Sequence, residues 1–382
     1  MFSRGPSHVD FNLTNGCNLA CSHCHSSSGP KLDNELTTDE IIKVIDDLYQ
    51  MGTLKIAFAG GEPFIRRDIL QILTHACSLP GWTVSIITNG LFLSKSMVEK
   101  LKENCPDLAI NISLDGSTPE NYSVLRKQVN NPNFDPKPVF EKVVRGIKTV
   151  VEAGFITSIN FTVTKATMDD LIPTYNLAMD LGAHAFVGIK FFPGGYGKEH
   201  LDKFELPYEY WSNLFSELTA QKLEGNYPNM QISVPAAWEF YLPLVEKDIS
   251  IVDAEASWNY RSPLRERNFK NTHSIGDIIG VAELSVSSNG EVYPSVLVIG
   301  EEELECGNLR NDSLEEIWKT SRSLRDIREL TLDTLKSNCK DCGLQDICGG
   351  GSRSRAYAKY SDLNAYDYTC PIIKREEVLL NA

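Results

Sequence analysis

Residues 17–24 read Cys17-Asn18-Leu19-Ala20-Cys21-Ser22-His23-Cys24, and the reading of this stretch decides the fold around it. Three thiols sit within eight residues on one short loop. A cubic 4Fe–4S cluster ordinarily takes four cysteine thiolates. Three ligands leave one iron open, much as a catalytic metal site keeps one coordination position for substrate. The alternative is zinc, with His23 or His25 as fourth ligand, although zinc usually gathers close pairs separated by a longer gap. Spacing alone leaves both open.

Working outward, hydrophobic patterning predicts strands over 9–13, 55–59, 84–88, 109–113, 158–164 and 185–191. Helices are predicted over 38–51, 68–77, 94–104, 139–153 and 169–181, the first opened by a Thr37-x-x-Glu40 capping box. Six β-then-α units imply a parallel sheet with right-handed crossovers. Six falls short of the eight that close a barrel, so a partial (β/α)6 TIM-type barrel is expected. The punctuation falls at one end: the cysteine loop follows the first strand, Gly60-Gly61-Glu62-Pro63 the second, Thr88-Asn89-Gly90 the third, Ser113-Leu114-Asp115-Gly116 the fourth and Phe192-Pro193-Gly194-Gly195 the sixth. Parallel α/β folds place their active sites at these strand ends.

With these motifs in place, the chain resembles the radical S-adenosylmethionine (SAM) superfamily. Cys17, Cys21 and Cys24 match its CxxxCxxC signature, with His23 where an aromatic residue often stands. The resemblance implies a 4Fe–4S cluster on these cysteines and SAM contacts from Gly60, Gly61, Glu62, Thr88, Asn89, Ser113, Asp115 and Arg126. It also implies the chemistry: an electron passes to SAM, and the resulting 5′-deoxyadenosyl radical abstracts hydrogen from an unactivated carbon. Arg66, Arg67 and Asp68 read as a helix start, and Cys77 and Cys105 as ordinary buried thiols.

A second set, Cys339, Cys342, Cys348 and Cys370, could hold zinc or a 4Fe–4S cluster. Its C-x2-C-x5-C run, with Gly290–Pro294, Gly307–Leu309 and Ser313–Trp318 before it, resembles the SPASM extension of radical SAM enzymes. Members with two auxiliary clusters carry cysteines where this chain has Ser295 and Ser352, so the resemblance implies one auxiliary 4Fe–4S cluster on four cysteines. Cys306 is left over and reads as a buried thiol; Arg353 and Arg355 either offset cluster charge or are solvated.

The expected organisation is a barrel over 1–197, a bridging segment over 198–280 and a SPASM-like auxiliary domain over 281–382. The bridge is aromatic (Tyr208, Trp211, Phe215, Trp238, Phe240, Trp258) and is expected to pack on the barrel and line the substrate cavity. The 382 residues carry a net charge of −14, which argues against a sequence-independent grip on nucleic acid. No signal peptide is visible, and no apolar stretch reaches the ~18 residues of a membrane span, so the chain reads as cytoplasmic. The resemblance implies a maturase-type oxidoreductase acting on a peptide or protein side chain by crosslinking, epimerisation or oxidation. Its partners would be a flavodoxin or ferredoxin-type electron donor and, since the first cluster cysteine is already residue 17, a separate leader-recognition protein or none. The alternative is removal of tetrapyrrole side chains in modified-haem synthesis, or another small-molecule reaction. A non-enzymatic iron–sulfur or zinc module is the remaining reading.

Overall fold

The structure, a computed structural model, describes residues 4–129, 131, 133–265 and 275–373. Parts of the expected bridge (266–274) and auxiliary domain (374–382) lie outside the described residues.

Among the described residues, ten strands form one sheet: β1 His8–Asn12, β2 Lys55–Ala59, β3 Thr83–Thr88, β4 Ala109–Ser113, β5 Thr157–Val163, β6 Ala185–Lys190, β7 Met230–Ser233, β8 Glu283–Val286, β9 Glu291–Tyr293 and β10 Gly307–Asn308. Their order is β10-β9-β8-β1-β2-β3-β4-β5-β6-β7. The run from β8 through β7 is parallel throughout, and β9 and β10 are antiparallel additions at its edge. The longer helices between the first six strands are α1 Thr38–Gln50, α2 Ile69–Ser78, α3 Lys95–Asn104, α4 Pro136–Glu152 and α5 Leu171–Asp180. The Thr37/Glu40 capping box forms, and α1 buries Ile41, Val44, Ile45 and Leu48 at helical spacing.

The six expected β/α units are present, with two additions. The bridge supplies β7, a four-residue strand that pairs with β6. The hairpin around Asn289-Gly290 forms between β8 and β9, and its first strand also pairs with β1, so the auxiliary segment begins as a continuation of the barrel sheet. Asp68 takes the N-cap position of α2, at the helix start expected there, without a side-chain capping bond. Its carboxylate instead pairs with Arg66 at 2.6 Å and accepts from Thr38. Arg66 in turn donates to the carbonyls of Leu13 and Leu36, fastening the end of β1.

Strand alternation sorts the side chains. Val9, Phe11, Ile56, Phe58, Ile86 and Ile112 are fully buried in the core that the helices cover. The opposite parity, in register across the strands, turns to the concave side: His8, Asp10 and Asn12 on β1, Asn111 and Ser113 on β4, Ser158, Asn160 and Thr162 on β5, Glu283 and Ser285 on β8.

The bridge also forms α6 Tyr208–Leu223, α7 Trp238–Glu246 and α8 Ile251–Trp258. Most of its aromatics are core, while Trp238 lines the cavity of the second cysteine set and Tyr208 is half-buried. Trp211 stacks on Phe215 and Phe215 on Trp258, and these rings, with Phe240, are closed off from solvent. Burial of such rings contributes most where no face is left wet, so this cluster glues the bridge to the barrel. Beyond β10 come α9 Leu314–Thr320, α10 Arg322–Arg328 and α11 Arg353–Tyr360. Among the described residues, no helix is long and apolar enough to cross a membrane.

Candidate active site

The loop after β1 is held from three sides. Glu35, a buried carboxylate the sequence reading missed, accepts from the Thr14 hydroxyl (2.9 Å), the Asn15 amide (2.8 Å) and the Leu32 amide (3.2 Å). Backbone bonds tie Cys17 N–H to Gly29, Ala20 N–H to Lys127 and Ser22 N–H to Leu125. Below the loop runs Gly60-Gly61. A Cβ on Gly61 would lie 2.1 Å from the Gly16 carbonyl oxygen, and one on Gly60 would lie 2.4 Å from that of Thr14. Only glycine permits this approach. The Gly61 and Glu62 amides donate to Thr14 and Gly16.

Glu62 braces the strand ends. Its side chain accepts from Thr88 Oγ1 (2.8 Å), the Asn89 amide (2.8 Å) and the Phe64 amide, and burial pushes its carboxyl up to about 7. Asn89 then donates to the Asn18 side chain inside the cysteine loop. Asp115 accepts from Arg126 Nε at 2.6 Å and from the Thr162 amide at 2.7 Å; His23 Nε2 lies 3.5 Å away. Burial opposes the Asp115 charge, but Arg126 and His23 outweigh it and hold the carboxyl below its ordinary range. Burial takes His23 down to about 4. Arg126 Nη1 reaches within 3.9 Å of Cys21 Sγ. The fold therefore gathers Glu62, Thr88, Asn89, Asp115 and Arg126 with the cysteine loop, while Ser113 faces the concave side half-buried.

Burial raises the Cys17 thiol and pushes Cys21 up to about 12. These thiols hold their protons until a cation replaces them, which suits a donor set completed by iron. Beside the loop lies a polar cavity of about 430 Å³, lined by Asn12, Thr14, Ser28, Lys198, Ser288 and Asn289 among others. Gly195 seals one edge, packed on the Cys24 and His25 carbonyls at positive φ.

The second cysteine set converges too. Cys339, Cys342, Cys348 and Cys370 line one cavity with Trp238 and Asp367. Burial raises Cys339 and Cys348 and pushes Cys370 up to about 12, again favouring protonated thiols without metal. Cys306 is buried and is absent from that lining. Ser295 and Ser352 are buried, and each hydroxyl accepts from a backbone amide as a helix cap. Arg353 and Arg355 are not solvated; both are fully buried. Arg353 donates to the carbonyls of Leu363, Ala365 and Gly350. Among the described residues, no three His, Cys, Asp or Glu side chains are drawn together as a single-ion site.

Comparison with known proteins follows this geometry. The radical SAM superfamily matches residues 11–178, and SPASM, described as an iron–sulfur cluster-binding domain, matches 279–343. An AdoMet-dependent heme synthase of Methanosarcina barkeri is 29% identical over 362 residues, covering 94% of this chain and 95% of the relative. The mycofactocin maturase MftC of Mycolicibacterium smegmatis is 25% identical, covering 99% of this chain and 88% of its own. Streptococcus suis SuiB, solved with its precursor peptide SuiA, superposes with a TM-score of 0.74 at 19% identity, over 97% of this chain and 77% of that one.

Proposed function

We propose, from the premise that the chain is a radical SAM enzyme carrying a SPASM domain, that it oxidatively modifies a peptide or protein side chain. Cys17, Cys21 and Cys24 would hold the SAM-binding 4Fe–4S cluster, and Cys339, Cys342, Cys348 and Cys370 the auxiliary one. When bound, the first cluster and SAM supply hydrogen abstraction by a 5′-deoxyadenosyl radical. The chain's own part is placement. Gly60 and Gly61 keep the strand end low beneath the cluster loop, and Glu62 and Asn89 brace that loop. Asp115 fixes the Arg126 guanidinium beside Cys21, where it would favour negative charge on the thiolate and on an anionic group of bound SAM. Four cysteine ligands at the second site favour electron transfer there over direct substrate binding.

One observation carries the peptide reading. The concave strand positions are mostly amides, hydroxyls and small residues, with Asp10 and Glu283 as carboxylates, His8 as an imidazole and Ile87, Val187 and Ile189 as apolar members. Across the eight parallel strands they include one lysine, Lys55, and no Arg, Phe, Tyr or Trp. An extended peptide presents N–H and C=O groups that Asn12, Asn111, Asn160 and Thr162 can pair. A tetrapyrrole is flat, apolar and edged by carboxylates, and calls for rings and cations. The second reading, a tetrapyrrole substrate, is favoured by the near full-length similarity to a heme synthase.

Incubating reconstituted enzyme with candidate peptides and with tetrapyrroles separates the two. A peptide mass change matched to 5′-deoxyadenosine is expected. Turnover of a tetrapyrrole with every peptide unchanged would replace this reading with the second.

A further inference from the structure

Four buried side chains of alternating charge run from the barrel to the second cysteine site. Lys190 ends β6 and points to the outer face, 6% exposed; Glu239 on α7 is 0% exposed; Arg355 on α11 and Asp367 are each 1% exposed. Lys190 Nζ donates to Glu239 Oε1, Arg355 Nη1 donates to the same oxygen at 2.9 Å, and Arg355 Nη2 donates to Asp367 Oδ2 at 2.7 Å. Asp367 Oδ2 also accepts from Trp238 Nε1 and from the Ser352 amide, both at 3.0 Å. Asp367 Oδ1 accepts from Thr369 Oγ1 at 2.8 Å, and the Asp367 carbonyl accepts from the Cys370 amide at 2.9 Å.

A chain of buried ions is a poor way to gain stability, since apolar residues of equal volume would serve as well without desolvating four charges. Its value lies in geometry and field. Cys370 is the distant member of its set, separated from Cys348 by 21 residues whose closure costs entropy. Asp367 ties that segment at once to the bridge through Trp238, to the start of α11 through Ser352, and to Arg355. Gly351, whose Cβ would lie 2.7 Å from that of Asp367, admits the contact. Trp238 and Asp367 both line the cysteine cavity, so this carboxylate sits where a negatively charged cluster would feel it.

We propose that Asp367 is a positioning residue for the auxiliary cluster, and that Arg355, Glu239 and Lys190 link it to β6, so that the barrel sets both the place of Cys370 and the field at the cluster. The inference rests on the assignment of Cys339, Cys342, Cys348 and Cys370 as ligands. The test uses the full chain with Cys17, Cys21 and Cys24 replaced by Ala, so that only the auxiliary cluster remains, and reads iron content, the electron paramagnetic resonance of the reduced cluster and its midpoint potential. Failure of this parent to hold a cubic cluster would sink the ligand assignment itself. With the cluster present, Arg355→Gln, which removes a cation, should shift the potential down, and Asp367→Asn, which removes an anion, should shift it up. Arg355→Lys should return it toward the parent. A merely structural loosening would move Gln and Asn variants the same way; that result, or no shift in either, overturns the proposal. If either variant takes up no iron, Lys190→Met decides: a smaller downward shift with iron retained supports the link to β6, and an unmoved potential overturns it.

Discussion

The loop carrying Cys17, Cys21 and Cys24 is held chiefly by backbone hydrogen bonds and the Glu35 carboxylate, with Glu62 acting through Asn89 and one ion pair, Asp115–Arg126, beside it, whereas the segment carrying Cys370 is held by fully buried arginines and Asp367. The contrast follows from ligand spacing. Three cysteines within eight residues share one loop, and two strand ends with a glycine floor suffice to shape it. Four cysteines spread over 339–370 come from separate pieces of chain, and long guanidinium forks reach several carbonyls and carboxylates at once. On the proposed ligand assignment the first site would leave one iron without a cysteine and the second would supply four, so cysteine count rather than fold would separate a site that activates from a site that relays.

The largest effect should break the two apart outright. Reconstituted chain is expected to bind about eight irons, from two cubes of four. Cys24→Ala should abolish 5′-deoxyadenosine formation with dithionite and SAM. Cys342→Ala should retain uncoupled SAM cleavage, measured by chromatography of the nucleoside. A count near twelve would mean that Cys306 and other groups hold a third cluster, and loss of cleavage in folded Cys342→Ala would collapse the division of labour.

Glycine substitutions sharpen the same contrast at constant chemistry. Gly61→Ala drives a methyl into the Gly16 backbone and should cost the first site its iron while the second keeps its own. Gly351→Ala, at φ +75 and against Asp367, should do the reverse. Iron per chain and the two resonance signals of the reduced protein report which cluster is missing; loss of both from either variant would mean that the sites fold as one unit.

Below these comes the single carboxylate behind the first loop. Glu35→Ala leaves the Thr14 hydroxyl and the Asn15 and Leu32 amides without their acceptor, a loss on the order of 3 kcal/mol. Urea unfolding of the cluster-free chain measures it. A change within experimental scatter would mean that the backbone ladder to Gly29 and Lys127 holds the loop alone.

Much of the first site was legible because its parts recur at strand ends, where period-two patterning already locates them. The cysteine identities, the two glycines and Asp115 needed no tertiary knowledge beyond strand order. Glu35 left no local signal, since its partners Thr14 and Asn15 lie 21 and 20 residues away and only the closed loop brings them together. The ion chain was hidden for the same reason: Lys190 and Glu239 are 49 residues apart, and Glu239 and Arg355 116. Arg355 could be read as solvated because charged residues usually are, and nothing in its own helix says otherwise. β7 escaped because four residues of alternating burial cannot be told from a loop without their partner β6. Trp211, Phe215, Phe240 and Trp258 of the bridge look like a binding wall in sequence and are core in the fold, because composition reports how apolar a segment is and not which side it faces.

The smallest effect concerns the seam between the two regions and reads out as a pH profile. Glu283 on β8 stands beside His8 of β1, and its carboxyl bonds Ser295 of the auxiliary segment. Burial pushes it up from 4.5 to about 8, and burial likewise raises Asp10 on the neighbouring strand. A raised carboxyl means that the folded chain holds a proton the unfolded chain has already released. The stability this contributes is complete below the unfolded value and is lost as pH climbs through the folded one, so Glu283 makes the protein less stable between about pH 4.5 and 8 as pH rises. Asp367 has the opposite sign: burial opposes its charge, but Arg355 and its hydrogen bonds hold it well below its ordinary range, so its contribution is present near neutrality and fades in acid. Glu62, pushed up to about 7, adds to the same alkaline decline, and Asp115, held low by Arg126, joins Asp367 on the acid side, so the Glu283 share of the decline is what belongs to the seam. Glu283→Gln should make the decline of the urea midpoint from pH 5 to pH 8 shallower in the cluster-free chain and leave the acid limb in place; an unchanged slope would place the titrating groups elsewhere, with Glu62 and Asp10 the next to replace.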